Sequence, residues 1–342
     1  MKLVSIEKEG DMKKLSILLS FILLSLTLIL PSCGEQADKS TRELIPVKFL
    51  LDWVPNTNHT GIFVAEAKGF FKEAGLEVDI IQPGEVYPEA AVVSGTADFG
   101  ISFQEIVTMA RADSVPIVSV AAVIQHNTSG FASPAALNVT TPSDFEGLRY
   151  GSFASAFEAP TLKSLMEKAG GDFSKLKIVE TGFSDPLALI AEKQIDLAWI
   201  FYGWQGFQAQ QQAIPLNVVM MKDYFDSVPD YYTPLVITSE DKIAKRPELV
   251  SAVMKALSRG YDLAIQNPEE AAQILLDEVP ELDSATVKAS QNWISQQYQA
   301  EAPRWGEQKE SVWQNYTDWL VREGILSAPI STSVAFTNRF LP

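Results

Sequence analysis

Cysteine is almost missing from this 342-residue chain, where Cys33 is the only one. No disulfide can form within it, so stability has to come from a packed core, and a cysteine-rich metal or iron centre is excluded. Histidine is nearly as scarce. His59 and His126 stand in separate loops with no acids at ligand spacing, too few soft ligands for a metal site. Basic residues are in deficit, with 27 Lys and Arg against 43 Asp and Glu and a net charge of −16. Such acidity disfavours nucleic acid or an anionic membrane surface as partner. There is no Gly-x-Ser-x-Gly elbow, and Ser102 has no assignable base, which removes the common hydrolase signature. Internal repeats are absent as well.

What is present begins with an apolar run over residues 15–30, preceded by Lys13 and Lys14 and ending in Leu30-Pro31-Ser32-Cys33. These are the parts of a secretory signal, and the run falls short of the roughly twenty residues that span a bilayer. A cysteine directly after Leu-x-Ser resembles the bacterial lipobox, in which the thiol is acylated and the preceding peptide removed, although Pro31 replaces the usual small residue. The charged stretch 1–11 leads us to expect translation from Met12. Residues 1–32 therefore read as a lipoprotein signal peptide and 33–45 as a lipidated tether. Four lysines against three acids in residues 1–32 leave −17 for the remainder.

That remainder, near-half apolar, can bury a large core, most simply in two lobes. From residue 47 the pattern alternates strands and helices, the signature of α/β architecture. Strands are expected at 47–51, 77–81, 98–102 and 116–124, with helices at 59–74, 88–94 and 103–112. A second set follows, with strands at 149–153, 176–180, 196–201 and 216–220 and helices at 160–169, 185–193 and up to 212. After a strand at 235–238 the chain is almost wholly helical from 247 to 320. The expected lobes are 46–128 with 233–342, and 129–232, joined by crossings near 127–132 and 222–234. Ligands of open α/β sheets collect at the C-terminal strand ends, and two crossings make a hinge.

Candidate ligand-binding residues stand at those ends. Asp52, Trp53, Asn56, Asn58 and His59 crowd one loop and helix start; helix capping and core packing are the bland alternatives. Gln125 stands beside the other histidine, His126, at another strand end. Gln104 and Glu105 open a helix, where a carboxylate can serve the helix dipole or a ligand. Glu158 opens another. Strand alternation puts Trp199 and Phe201 on one face and Ile200 and Tyr202 on the other; Trp199 is assigned to the core, Tyr202 and Trp204 to the site. Rings, amides and carboxylates without Lys or Arg fit a planar, neutral or cationic nitrogen heterocycle, not an amino acid, carboxylate or phosphate. Trp293, Trp305, Trp313 and Trp319 read as packing residues of the helical C-terminal part, Trp313 and Trp319 not sharing one stripe.

Residues 51–61 (LDWVPNTNHTG), 68–76 (KGFFKEAGL), 97–101 (ADFGI) and 302–306 (APRWG) resemble the NMT1/THI5-like family of periplasmic-binding-type proteins, over about 47–325. The resemblance implies a type II periplasmic-binding-protein fold. It also implies a solute-binding lipoprotein, extracytoplasmic and monomeric, that captures a thiamine pyrimidine precursor, hydroxymethylpyrimidine or formylaminopyrimidine, for an ABC importer; other members take riboflavin. Its partners would be the small heterocycle, the permease and its ATPase, with membrane contact only through the lipid, no nucleic acid and no cofactor. By analogy Asp52, Trp53, His59, Glu158 and Tyr202 line the pyrimidine site. The eukaryotic branch is enzymatic, making the pyrimidine from pyridoxal phosphate and a histidine with a Cys-rich, iron-binding motif. Nothing beyond Cys33 could supply that motif, so no catalysis is expected.

Overall fold

The computed structural model describes residues 43–342 apart from Glu85 and Phe183. The expected signal peptide, the lipidated Cys33 and most of the tether lie outside the described residues. Strand β1 (Ile45–Leu50) shows why the chain folds as it does: Val47 and Phe49 alternate with exposed Lys48, so one face of the pleat is apolar and buried. A 3₁₀ turn (Thr57–His59) leads to α1 (Thr60–Ala67) and α2 (Phe70–Glu73), then β2 (Leu76–Ile81), α3 (Pro88–Ser94), β3 (Phe99–Ser102), α4 (Gln104–Ala112) and β4 (Ile117–Ala122). Residues 123–128 cross to β5 (Ser129–Pro134), β6 (Arg149–Ser152), α5 (Glu158–Lys168), β7 (Lys177–Glu180), α6 (Pro186–Ala191) and β8 (Leu197–Phe201). A π-helical turn (Tyr202–Gly206) runs into α7 (Phe207–Gln211) and β9 (Leu216–Met220). The chain then returns to β10 (Leu235–Ser239) and continues through α8 (Glu240–Lys245), α9 (Pro247–Gln266), α10 (Pro268–Glu278), α11 (Ser284–Ile294), α12 (Glu310–Arg322) and α13 (Thr332–Ala335).

Two five-stranded sheets result, ordered β2-β1-β3-β10-β4 and β7-β6-β8-β5-β9. They share one plan. In each, three strands run parallel, and the strand that has just crossed from the other lobe, β10 or β5, inserts antiparallel between the third and the last. Both crossings are thus anchored in the middle of a sheet at their far end. No helix among the described residues is long and apolar enough to cross a membrane.

Three expected elements differ from those observed. The stretch expected as almost wholly helical from 247 to 320 is interrupted over 295–309, the segment that carries Trp305. The helix read as continuous over 59–74 breaks at Gly69, whose φ of 71° lies in the left-handed region that glycine alone adopts without a Cβ penalty. The segment 127–132, expected as a crossing, is largely β5. Its sequence, SGFASP over 129–134, is too rich in small residues to show apolar alternation, and it is held as a strand by pairing with β8 and β9.

The helices cover these sheets by periodicity. On α9 the residues Leu249, Val250, Val253, Met254, Leu257, Tyr261 and Ala264 are buried, the stripe expected of a helix laid on a core. It meets α1 at backbone distance: a Cβ on Gly260 would fall 2.0 Å from the Gly61 carbonyl oxygen. Helix α12 is shared. Its Trp313 packs with Tyr232 and Leu235 of the first sheet's core, whereas Tyr316, Trp319 and Leu320 pack with Phe131, Trp199 and Tyr231 in the second. Allotting all of 233–342 to the first lobe therefore misses the helix that ties the two cores together.

Candidate functional site

The loop after β1 owes its shape to one buried imidazole. His59 Nδ1 accepts from the Asn56 backbone amide at 3.3 Å, which leaves Nε2 to carry the proton donated to Asp52 Oδ1 at 2.7 Å. Asn56 Oδ1 in turn accepts from the Asn58 amide at 2.9 Å, capping the 3₁₀ turn. Tyr261 donates to the Asn58 carbonyl at 2.7 Å and Tyr298 to that of Thr57. With the turn so held, Asp52, Trp53, Asn56 and Asn58 are presented on one wall of a cleft between the lobes. His59 is not: it is fully buried behind Asp52 and orients it.

The cleft encloses about 570 Å³, within the range of pockets for small ligands. From the first lobe come the Asp52 loop, Glu89 at the start of α3, and Phe103 and Glu105 where β3 passes into α4. From the second come Phe153, Ser155 and Phe157 after β6, Trp199 and Phe201 on β8, and Trp204 and Gln205 in the π-helical turn. Tyr231 and Thr233 of the second crossing lie at its floor. Phe103 and Phe201 stack across the gap with centroids 5.9 Å apart. No Lys, Arg or His lines the cavity among the described residues.

Burial governs the acids. Glu89 accepts from Ser102 Oγ, and its carboxyl is pushed above the usual range chiefly by desolvation, with Asp52 adding like charge. Glu105, buried throughout, is pushed up to about 8 by desolvation, against its hydrogen bond from the helix-start backbone and with the help of Glu89. Desolvation thus outweighs the helix-terminus preference for a charged carboxylate.

Several expected site residues turn out to hold the walls rather than line them. Gln104 Oε1 accepts from the Tyr232 backbone amide at 2.8 Å while the Gln104 backbone amide donates to the Tyr232 carbonyl, fastening α4 to the second crossing. Gln125 Nε2 donates to the Glu307 carbonyl at 2.9 Å, and the adjacent His126 sits between Asp230 and Glu301, at 2.5 and 2.9 Å. Glu158 is 2% exposed and accepts from the Tyr150 and Ser152 hydroxyls and from both the amide and the hydroxyl of Ser155, at 2.6–3.0 Å, with the Phe153 amide at 3.2 Å. It has no lone pair left for a ligand and instead shapes the loop bearing Phe153, Ser155 and Phe157.

Tyr202 and Trp199 exchange the parts expected of them. Alternation correctly grouped Trp199 with Phe201, but that face is the cleft wall; Trp199 donates to Ser129 Oγ at 2.8 Å and meets Phe157 edge-on at 5.9 Å. Tyr202 lies past the strand, in the π-helical turn, packed edge-on against Trp293 at 5.4 Å. Glu89, Phe103, Phe153, Phe157, Tyr231 and Thr233 were missed. Phe103 and Phe153, at recognised strand ends, carried a local signal; the others reach the cleft from loops, helix starts and the second crossing. Among the described residues no group of His, Cys, Asp and Glu could hold a metal ion.

The profile of the NMT1/THI5 like family matches residues 56–271, from the Asn56 cap through both lobes into α10. The chain belongs to the NMT1/THI5 like family. Among relatives of this NMT1/THI5 like chain, a formylaminopyrimidine-binding protein of Halalkalibacterium halodurans is 27% identical over 328 residues, 93% of this chain and 98% of that one. The riboflavin-binding protein RibY of Chloroflexus aurantiacus is 25% identical over 317 residues, 86% of each chain. A 4-amino-5-hydroxymethyl-2-methylpyrimidine phosphate synthase of Legionella pneumophila is 23% identical over 300 residues, 86% of this chain and 92% of that one. In structure, the alkanesulfonate-binding protein SsuA of Xanthomonas axonopodis pv. citri superposes with a TM-score of 0.65 at 15% identity, covering 86% of this chain and 99% of that one. This NMT1/THI5 like chain accordingly has the two-lobed type II periplasmic-binding-protein fold.

Proposed function

We propose that this chain is the solute-binding component of an ABC importer and captures a thiamine pyrimidine precursor, hydroxymethylpyrimidine or formylaminopyrimidine, between closing lobes. The observation that carries this reading is the cleft itself. Trp199, Phe103, Phe201 and Trp204 offer faces and edges to a flat ring, while Asp52, Glu89 and Glu105 offer carboxyl groups to ring nitrogens and an exocyclic amine. The want of a lining cation disfavours phosphate, sulfonate and carboxylate ligands, so kinship of fold with the sulfonate binder does not extend to its ligand. The formylaminopyrimidine-binding relative supports the same class. Binding residues are assigned as Asp52, Trp53, Asn56, Asn58, Glu105 and Trp204, with Trp199 added and His59, Glu158, Gln104 and Gln125 in supporting positions.

The chain is further proposed to be exported, acylated at Cys33 and held at the outer face of the membrane by that lipid alone. There it would act as a monomer that delivers solute to a permease and its ATPase. A synthase role is disfavoured because His59, the residue a sacrificial-histidine chemistry would need, is sealed behind Asp52 with both ring nitrogens engaged. A second reading, riboflavin capture, is favoured by the RibY relative.

Calorimetric titration of the purified chain decides among these. Hydroxymethylpyrimidine and formylaminopyrimidine should bind, riboflavin more weakly, and an alkanesulfonate or amino acids not at all. Binding confined to amino acids or sulfonates would sink the proposal, and riboflavin as the tightest ligand would establish the second reading.

A further inference from the structure

Two buried polar atoms in the cavity wall have no partner. They are Glu105 Oε2 and Thr233 Oγ1, on residues 4% and 1% exposed. A polar group left unpaired in an apolar interior is costly, so native structures rarely keep one without a use. Their backbones are held side by side: the Gln104–Tyr232 pair of hydrogen bonds joins the residues immediately before each.

Resting on the heterocycle reading above, we infer that Glu105 binds the ligand as a neutral carboxylic acid, Oε2 donating its proton to an acceptor ring nitrogen while the Thr233 hydroxyl takes the adjoining polar group. Burial is what keeps the acid protonated, its carboxyl being pushed up to about 8. The titratable groups that face it are Glu89 from α3, Tyr231 from the second crossing and Tyr316 from α12, and none supplies a positive charge to reverse this. A donor at that point selects for a ligand with a bare nitrogen acceptor. An anionic group there would meet like charge from Asp52 and Glu89 and, on ionisation, from Glu105 itself.

The test is a pH series of calorimetric titrations of the chain with hydroxymethylpyrimidine, from about pH 6.5 to about pH 9.5. Infrared difference spectra of the ligand-free protein accompany it, with Glu105→Gln isolating the one carbonyl band. Deprotonation near 8 should weaken wild-type binding about thirtyfold across that range. The Glu105→Gln amide donates less well and should lose about threefold to tenfold at neutral pH, but it should flatten the profile to whatever background His126 leaves at the hinge. Thr233→Val should weaken binding while keeping the full pH dependence. An equal alkaline fall in wild type and Glu105→Gln, or affinity that rises with pH, would overturn the inference, as would the lack of a protonated-acid band at pH 7 that Glu105→Gln removes. Should that band be present and no heterocycle bind at any pH, it is the heterocycle reading that fails, and the ligand role of Glu105 with it.

Discussion

Replacing Glu158 with alanine separates a wall-building carboxylate from a ligand-binding one. In the structure Glu158 satisfies two hydroxyls and two backbone amides, together with the hydroxyl of Ser155, and two of those donors, Tyr150 Oη and Ser152 Oγ, are themselves buried. Leaving a buried donor unpaired costs about 1–3 kcal/mol. The Phe153 and Ser155 amides are half-buried and recover most of their loss from water, so the sum is set by Tyr150 and Ser152 at roughly 3 kcal/mol. For a chain of this size that should lower the melting temperature by roughly 5 °C or more. Because the 153–157 loop carries Phe153, Ser155 and Phe157 into the cleft, pyrimidine affinity should fall alongside, by about tenfold. Glu158→Gln, which keeps one acceptor oxygen but turns an NH₂ toward the donors, should fall between. Differential scanning calorimetry and ligand titration on the same preparations provide both readouts. A Glu158→Ala protein that loses affinity yet melts within about 1 °C of wild type would refute the reasoning and return Glu158 to the ligand.

Trp199→Ala should weaken heterocycle binding about tenfold, since an aromatic contact contributes on the order of 1 kcal/mol beyond area, whereas Tyr202→Ala should alter affinity far less; titration of both checks the exchanged assignment. Gly260→Ala should be severely destabilising, by about 3 kcal/mol, because the added Cβ meets a backbone carbonyl that cannot swing aside; denaturant unfolding measures it. His126 is pushed up to about 9, first by its hydrogen bond to Asp230 and then by Glu301. A raised imidazole contributes stability that is fully present below its unfolded value near 6.5 and lost as pH rises through about 9. The ring is 43% exposed, so the effect should stay below about 1 kcal/mol, and His126→Gln should remove that part of the alkaline decline in melting temperature.

How much of the site could be read beforehand depended on how local its residues are. Asp52, Trp53, Asn56 and Asn58 were recognisable because a strand end runs straight into a capped turn, and both events leave marks within ten residues. Glu89 and Thr233 left none: each is brought to the cleft by a partner in another element, Ser102 for Glu89 and, through the adjacent Tyr232, Gln104 for Thr233. His59 and Glu158 were recognised as unusual polar residues but given the wrong duty. A carboxylate opening a helix looks the same in sequence whether its lone pairs face a ligand or five donors of the preceding strand and loop.

The sequence by itself determined the α/β alternation, the acidic, cysteine-poor character, the family and a candidate site without Lys or Arg, because composition, period and motif are properties of short stretches. Tertiary structure alone decided that β5 is a strand, since its small residues become one only when β8 and β9 pair with it. It also decided that Trp199 lines the cleft while Tyr202 does not, because alternation divides a strand into two faces without saying which is the cleft. Only the packed protein leaves Glu105 at the floor of that cleft with an oxygen to spare, desolvation being a property of everything that surrounds a group and not of the residues beside it in the chain.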